Sequence, residues 1–224
     1  NRIRKVSTTG IITTIAGTGV AGYSGDDSAA PAATLNAPIG VAVDIGGNIY
    51  ISDCYNDRIR KINNSGIITT IVGTGIIGYT GDGGPATAAQ LFSPQEIALD
   101  KAGNLYICDG DNNAIRKVNA SGIIATIAGT GVAGYTGDGG PATAGKIDKP
   151  IGIAIDSSGN IFFTERGNNC IRKVNTLGYI STFAGGSPTL GFSGDGGLAT
   201  NADFHTPIGI AVDTWGNIYV GDYY

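Results

Sequence analysis

Short runs of alternating residues along the chain predict β-strands rather than helices. In the segment 38–44 (PIGVAVD), large Ile and Val residues alternate with Gly and Ala. This period of two places the large side chains on one face of a strand and the small ones on the other. Because both faces are apolar, we expect the sheet to be covered on both sides.

The same segment returns three times. It appears as PQEIALD at 94–100, PIGIAID at 150–156 and PIGIAVD at 207–213, at spacings of 56, 56 and 57 residues. Four units of about 56 residues account for all 224 positions. Self-similarity at a fixed period of this length is typical of repeat architectures. The sequence therefore predicts one domain, residues 1–224, without a linker.

Each unit contains four runs rich in Ile, Val, Tyr and Thr, which favour strands. In the first complete unit they lie at 40–44, 48–53, 58–63 and 67–73. Turn residues separate them: a D-x-x-G-N motif follows the first run, and a motif of Asn with a Gly three positions later follows the third. Asp and Asn bond turn backbones, and Gly supplies the positive φ of a tight hairpin. Each unit is predicted to be a four-stranded antiparallel meander.

Stacked meanders of this kind predict an all-β fold, a β-propeller with four blades from this chain. The first residues, 1–6 (NRIRKV), match the third strand of a unit, and residues 217–222 (NIYVGD) match the second. One blade is therefore predicted to be split between residues 207–224 and 1–17. Pairing of 217–222 with 2–6 would close the ring and leave few free edges. Pairing between neighbouring chains is the other possibility.

The units resemble NHL repeats. The resemblance rests on the P-x-G-I-A-V-D strand, the D-x-x-G-N turn, N-I-Y-I-x-D and N-x-x-I-R-K, and it covers essentially the whole chain. It implies a β-propeller used mostly for binding protein, carbohydrate or RNA. Some relatives are lyases or hydrolases with a metal on the central axis. Relatives commonly have six blades, whereas this chain supplies four, and its G-Y-T-G-D-G-G-P-A-T-A inserts suggest a bacterial type.

The insert lies before the first strand of each unit. It occupies 73–91 in its clearest form, and recurs at 134–147, at 191–204 and more loosely at 22–35. Asp82 is predicted to be an acceptor at the start of a short helix. Two apolar positions repeat, and we expect them to pack the inserts into the wedges between blades: Leu35, Leu91, Ile147 and Phe204 at one, and Tyr23, Tyr79, Tyr135 and Phe192 at the other.

Acidic residues recur at two positions of the unit. At the end of each second strand an acid stands near an Arg of the third: Asp53, Asp109, Glu165 and Asp222 with Arg60, Arg116, Arg172 and Arg4. These acids would form either a carboxylate ring for a cation or a structural acid–Arg ladder, and repetition in every unit favours the ladder.

The insert acids Asp82, Asp138 and Asp195 are candidate Ca²⁺ ligands, but their spacing is not that of an EF-hand. A turn or cap role is favoured for them.

Residues that depart from the repeat are better candidates for function. Glu96 replaces the Gly of the innermost strand, and His205 is the only histidine. Both are predicted near the mouth of the ring, on the face that carries the inserts, where they would bind a ligand. A general acid–base pair is disfavoured, because the two residues lie in different units. Trp215, in a turn at the opposite face, would be a contact anchor or an incidental loop residue.

Composition excludes several classes. Lys and Arg number 14 against 18 Asp and Glu, for a net charge of −4, so the chain lacks the basic surface that binds nucleic acid. No apolar run approaches the ~18 residues of a membrane span. Cys54, Cys108 and Cys170 form no C-x-x-C pair, which disfavours zinc and a disulfide framework and leaves their redox state open. No metal or other cofactor is expected, apart from a weak case for Ca²⁺.

Low charge and abundant Thr, Ser, Asn and Gly favour an extracellular or cell-surface protein of bacterial type. The absence of a visible signal peptide is compatible with a fragment or a processed product.

Two functions from different classes follow. The favoured one is a noncatalytic binding or assembly module whose partner is a protein, a carbohydrate or another copy of the chain. Free strand edges at both termini would join such modules into a filament or surface array. The alternative is an axial-metal lyase or hydrolase. It needs several His or Glu residues on the channel, and the chain has one His and two Glu.

Overall fold

The chain folds into a row of antiparallel sheets in the computed structural model, which describes residues 1–186 and 191–224. The strands are β1 (Ile3–Val6), β2 (Ile12–Ala16), β3 (Ser28–Ala29), β4 (Pro38–Val43), β5 (Ile49–Asp53), β6 (Arg58–Ile62), β7 (Ile67–Val72), β8 (Pro94–Leu99), β9 (Leu105–Asp109), β10 (Ala114–Val118), β11 (Ile124–Ala128), β12 (Pro150–Ile155), β13 (Ile161–Glu165), β14 (Cys170–Val174), β15 (Ile180–Gly185), β16 (Pro207–Val212) and β17 (Ile218–Asp222). Short 3₁₀ turns lie at Ala30–Ala32, Cys54–Asn56, Ala86–Ala88, Gly110–Asn112, Ala142–Ala144 and Ala199–Asn201.

The sheets are successive four-stranded meanders, as the sequence predicts. Strands β4 to β7 form blade 1, with β3 added at its outer edge; β8 to β11 form blade 2, and β12 to β15 form blade 3. Two half-sheets flank them: β1 with β2 (the N-terminal half-sheet) and β16 with β17 (the C-terminal half-sheet). The inner strands pack in the order β4, β8, β12, β16, which places one half-sheet at each end of the row.

The predicted hairpin turns are present, and side chains hold them. In the D-x-x-G-N turn of blade 2, Asp100 accepts the backbone N–H of Asn104 at 2.9 Å and its amide N–H at 2.6 Å. The Tyr106 hydroxyl donates to the same carboxylate at 3.1 Å, and Gly103 takes a φ of +80°. At the other hairpin, Asn119 accepts two backbone N–H groups. Local chemistry therefore fixes the strand register in each unit.

Neighbouring blades nest, large face against small face. Ile97 of blade 2 is 4% exposed and belongs to a buried cluster that includes Ile59 of blade 1, with Ala42 and Tyr50 packed against it. Gly40 allows this approach, because a Cβ there would lie 2.9 Å from the Cα of Glu96. The alternation of large and small residues in the first strand thus sets the contact between blades.

The inserts bridge adjacent blades at their outer part. The backbone of Ala86 accepts a bond from Gly73 at 3.0 Å and donates to Gly122 at 2.8 Å, linking the end of blade 1 to a hairpin of blade 2. Leu91 is fully buried beneath this turn, as are its equivalents Leu35 and Ile147. The predicted cap is wrong: Pro85 occupies the N-cap without a side-chain bond, and Asp82 bonds elsewhere.

The predicted split blade, residues 207–224 with 1–17, is not assembled in the structure. Within the described residues β1 pairs only with β2, and β17 pairs only with β16. The reason is their position, since the two half-sheets lie at opposite ends of the row. Val41 and Val43 of β4, which face outward at the first end, are 44% and 62% exposed. Among the described residues, no helix has the length and apolar character needed to cross a membrane.

Candidate functional site

A buried arginine ties each complete blade to the insert that precedes it. In blade 2 the Arg116 guanidinium is 1% exposed and lies 3.2 Å from Asp109 and 2.8 Å from Asp82. It also donates to the backbone oxygen of Thr80, and the ring of Tyr79 lies over it at 5.1 Å. Its Nε–H is buried without a partner. The equivalent clusters are Arg60 with Asp53 and Asp26, and Arg172 with Glu165 and Asp138.

The two acids of each cluster have different environments. Burial raises the pKa of Asp109 to about 6 and that of Glu165 to about 7, against the opposing effect of the neighbouring arginines. Burial also acts on Asp82 and Asp138, but hydrogen bonds from Thr126 and Thr182 and the arginine charge outweigh it, so the pKa of each is lowered. The insert acids therefore act as ionised partners of arginine in this geometry.

One acid of this set was missed by the sequence reasoning. Asp26, in the loosely matching first insert, bonds Arg60 at 2.7 Å. The sequence does contain a signal for Asp26, because the insert Asp and the Arg of each cluster stand 34 positions apart in all three blades. The looser similarity of the first insert obscured that spacing.

The fourth cluster is divided between the two ends of the row. The predicted pair of Asp222 with Arg4 is not formed: among the described residues Arg4 has no ion pair, and neither Asp222 nor Asp195 contacts an arginine. Asp222 instead accepts the backbone N–H of His205 at 2.9 Å. Arg4 is exposed on the N-terminal half-sheet. By their place in the repeat, Asp195 and Asp222 are the acids that would surround an arginine at the position of Arg4.

The same division affects an aromatic–lysine pair. In each complete blade a lysine of the third strand lies over a ring of the second, with 5.2 Å from Lys61 to Tyr50 and similar distances in the other blades. In the half-sheets the equivalent residues are Lys5 and Tyr219, which stand apart, and Tyr219 is 58% exposed. Each half-sheet thus carries one half of the contacts that hold a complete blade together.

The two residues that depart from the repeat do not form a common site. Glu96 is half-buried, and burial raises its pKa. The His205 ring lies beside the Tyr224 ring in a tilted arrangement, with 5.0 Å between the ring centroids. No hydrogen bond or ring contact joins Glu96 to His205 in the described part of the chain. Trp215 is 86% exposed in its turn.

The described residues offer no assembled metal or thiol chemistry. Across 1–186 and 191–224 there is no group of three His, Cys, Asp or Glu side chains placed to hold a metal ion. The three cysteines are free and buried, and burial raises the pKa of the Cys54 thiol to about 12. At that pKa the thiol is protonated at neutral pH and is a poor nucleophile.

Two cavities open at opposite ends of the inner strands. The one at the D-x-x-G-N turns has a volume of about 520 Å³. Its acids, Asp100, Asp156 and Asp213, are all occupied by bonds within their own turns. The cavity at the insert end has a volume of about 250 Å³ and is lined by residues that differ between units, among them Tyr55, Asp111, Lys149 and Arg166.

Successive meanders whose inner strands pack against one another define a repeat protein of the β-propeller class. A family model described as "Teneurin NHL domain" matches residues 19–78 and 77–136. The chain belongs to this family, in agreement with the NHL resemblance.

Curated relatives and solved structures extend the comparison. Teneurin-1 of Mus musculus is 30% identical over 225 residues, which cover 89% of this chain and 8% of the relative. The chain therefore spans about one-twelfth of the length of the curated relatives it matches. A Bacteroides thetaiotaomicron protein of unknown function superposes with a TM-score of 0.66 at 20% identity, covering 99% of this chain and 61% of that one. Virginiamycin B lyase of Staphylococcus aureus superposes with a TM-score of 0.55 at 18% identity, with 99% and 63% covered. At these identities the two structures show the fold alone.

Proposed function

We propose that this chain is a noncatalytic protein-binding and assembly module, part of an extracellular protein, that works by completing its two half-sheets with matching half-sheets. A half-sheet that matches in sequence is one from another repeat unit of this kind, and a second copy of the chain carries such a half-sheet at each end. The observation that carries the proposal is the divided fourth cluster. Arg4 stands at one end of the row, and Asp195 and Asp222 stand at the other.

The register of the proposed contact follows from blade 1. There Tyr50 stands opposite Lys61, and Ile51 opposite Arg60. Transferred to the half-sheets by the repeat, the same register pairs Tyr219 with Lys5 and Val220 with Arg4. Docking would therefore join the aromatic–lysine pair, satisfy Arg4 and add a ladder of backbone hydrogen bonds, as in strand addition to a sheet edge.

The exposed faces support the same partner. At the first end the large residues Val41 and Val43 are exposed. Ile97, the equivalent of Val41 in blade 2, is buried by the small face of blade 1. At the other end Gly209 has no atom within 4 Å of a Cβ built on it. A large face at one end and a small face at the other form a head-to-tail interface, which closes a ring or extends a filament.

Sedimentation velocity over a wide range of concentrations tests the proposal. We expect the wild-type chain to associate as concentration rises. Gly209→Val should weaken association at least tenfold without altering the monomer, because it adds bulk only to the bare small face. Ala102→Val, in an exposed turn outside the interface, is the control. A wild-type chain that stays monomeric throughout would overturn assembly between copies.

The axial-metal lyase or hydrolase remains the alternative to a noncatalytic role. It predicts a metal bound at the channel in stoichiometric amount. Metal analysis of the purified chain distinguishes the two: one Zn²⁺ or Ca²⁺ per chain that resists dialysis would reverse the proposal. We expect no such stoichiometric ion.

A further inference from the structure

The residues that vary between units converge on the cavity at the insert end. The repeats agree at positions that build the blades, such as the acid of the second strand and the Arg of the third. Four other positions differ in chemical type from unit to unit and line this cavity in the complete blades. Their side chains there include Tyr55, Gln95, Asp111, Lys149 and Arg166. Since the fold does not require these side chains, their convergence is independent evidence of a site.

Two unpaired cations stand side by side in this cavity. The backbone N–H of Arg166 donates to the backbone oxygen of Lys149 at 3.1 Å, which holds the two residues together. The backbone of Lys149 is fixed in turn by Asn113 across the blade junction, at 2.9 Å. Neither cationic side chain forms an ion pair with any described residue. Asp111 is the acid among the lining residues, so two cationic side chains and one acidic side chain line the cavity although the chain is acidic overall.

The other side chains supply acceptors and an aromatic surface. The Gln95 amide nitrogen donates to the backbone oxygen of Ser93 at 2.9 Å. The side-chain oxygen of Gln95 is therefore the group that can accept a hydrogen bond from a ligand. The Asp111 carboxylate is a second acceptor. Tyr55, 69% exposed at the rim, presents a ring that can cover an apolar face of a ligand. Cations, acceptors and a ring together match a molecule with both a carboxylate and hydroxyl groups.

We propose that the cavity at the insert end binds a small hydroxylated carboxylate of the uronic acid type. Its carboxylate lies between Lys149 and Arg166, where the planar guanidinium donates two parallel N–H bonds to the carboxylate oxygens. Its hydroxyl groups donate to Gln95 and Asp111. A volume of about 250 Å³ suits a single sugar unit. This site is separate from the half-sheets and does not depend on the assembly proposed above.

Isothermal titration of the whole chain with sodium glucuronate, glucose and inorganic phosphate tests the proposal. We expect saturable binding of glucuronate that weakens with added salt, and at least tenfold weaker binding of glucose and of phosphate. Phosphate binding as tight as glucuronate binding would make the cavity a general anion site and overturn the ligand class. Equal binding of glucose would overturn the role of the two cations.

Matched variants locate the site. Lys149→Gln and Arg166→Gln should each weaken glucuronate binding at least tenfold, and both residues are exposed, so the fold should survive. Lys101→Gln removes an exposed lysine from the other cavity and should leave binding unchanged. Equal losses in all three variants, or no saturable binding to the wild-type chain, would refute the proposal. Thermal unfolding of each variant confirms that the comparison is made between folded proteins.

Discussion

The side-chain oxygen of Asn113 accepts a hydrogen bond from the backbone nitrogen of Lys149 at 2.9 Å, joining blade 2 to blade 3. Both residues have a positive φ, near 50°. This region is costly for a lysine, so the bond holds a backbone shape that is unfavourable by itself. The same bond recurs at the other junctions, from Ala37 to Asn1, from Ser93 to Asp57 and from Thr206 to Asn169.

Removing this bond should loosen one junction. Asn113→Gly leaves the Lys149 N–H without its partner and tolerates the positive φ at that position, and we expect the free energy of unfolding to fall by about 1–2 kcal/mol. Asp57→Asn is the control, because it keeps an acceptor at the equivalent place and should change stability by less than about 0.5 kcal/mol. Urea denaturation followed by fluorescence measures both. Equal effects would show that the bond does not link the blades.

The buried arginines should contribute far more than their exposed equivalent. Arg116→Met leaves Asp109 buried without its counter-charge, and we expect a loss of about 3–5 kcal/mol. Arg4→Met changes the same position of the repeat, where the side chain is exposed and unpaired in the described structure, and should cost less than about 0.5 kcal/mol. Denaturation at neutral pH compares them. A small effect of Arg116→Met would contradict the structural role given to the clusters.

Glu96 should lower stability at neutral pH. Burial raises its pKa, so the ionised form is disfavoured in the folded state. The protonated Glu96 side chain contributes to the free energy of unfolding fully below the ordinary glutamate pKa, and this contribution is lost as pH rises through the raised pKa. Glu96→Gln should therefore match wild type in free energy of unfolding near pH 4 and exceed it at pH 8.

Unfolding curves from pH 4 to pH 8 measure this difference, with the exposed Asp195→Asn as the control. Glu165, whose pKa is raised to about 7, gives the same direction of pH dependence to every variant that retains it. The difference between wild type and Glu96→Gln therefore isolates Glu96. A variant that is less stable than wild type at pH 8 would be inconsistent with this account.

Two glycines at the same repeat position should respond differently to a methyl group. A Cβ at Gly152 would collide with the backbone oxygen of Ile208, whereas one at Gly209 meets nothing. We expect Gly152→Ala to cost about 1–3 kcal/mol through overpacking, and Gly209→Ala to cost less than about 0.5 kcal/mol. Thermal denaturation at low protein concentration, where the chains are apart, gives the comparison. Similar shifts would mean that blade nesting does not require this glycine.

The fold was largely predictable because its signals are local and repeated. The turn residues Asp100, Gly103 and Asn104 specify their hairpin by chemistry within five positions. The alternation around Gly40 specifies how blades nest. Ring closure was not predictable from these signals, because the angle between blades is set by many tertiary contacts that no single unit encodes.

The candidate sites were harder to predict for a related reason. Asp82 has the sequence context of a helix cap, yet it bonds Arg116, which lies 34 positions further on in the next blade. The sequence alone does not single out Lys149 and Arg166, because neither belongs to a motif. Their common cavity becomes visible only when the blades are assembled. Departure from the repeat indicates Glu96 and His205. The same criterion, applied at every position, would also identify the residues that line the cavity.

The central claim is that β17 of one copy pairs with β1 of another, and cysteine cross-linking tests it most directly. Chains carrying Lys5→Cys are mixed with chains carrying Tyr219→Cys and oxidised; the native cysteines are buried and do not interfere. Thr9→Cys, in the hairpin turn beyond β1, replaces Lys5→Cys as the control for register. We predict a cross-linked dimer from Lys5→Cys with Tyr219→Cys and little from the control. Equal cross-linking in both mixtures, or none in either, would contradict the account.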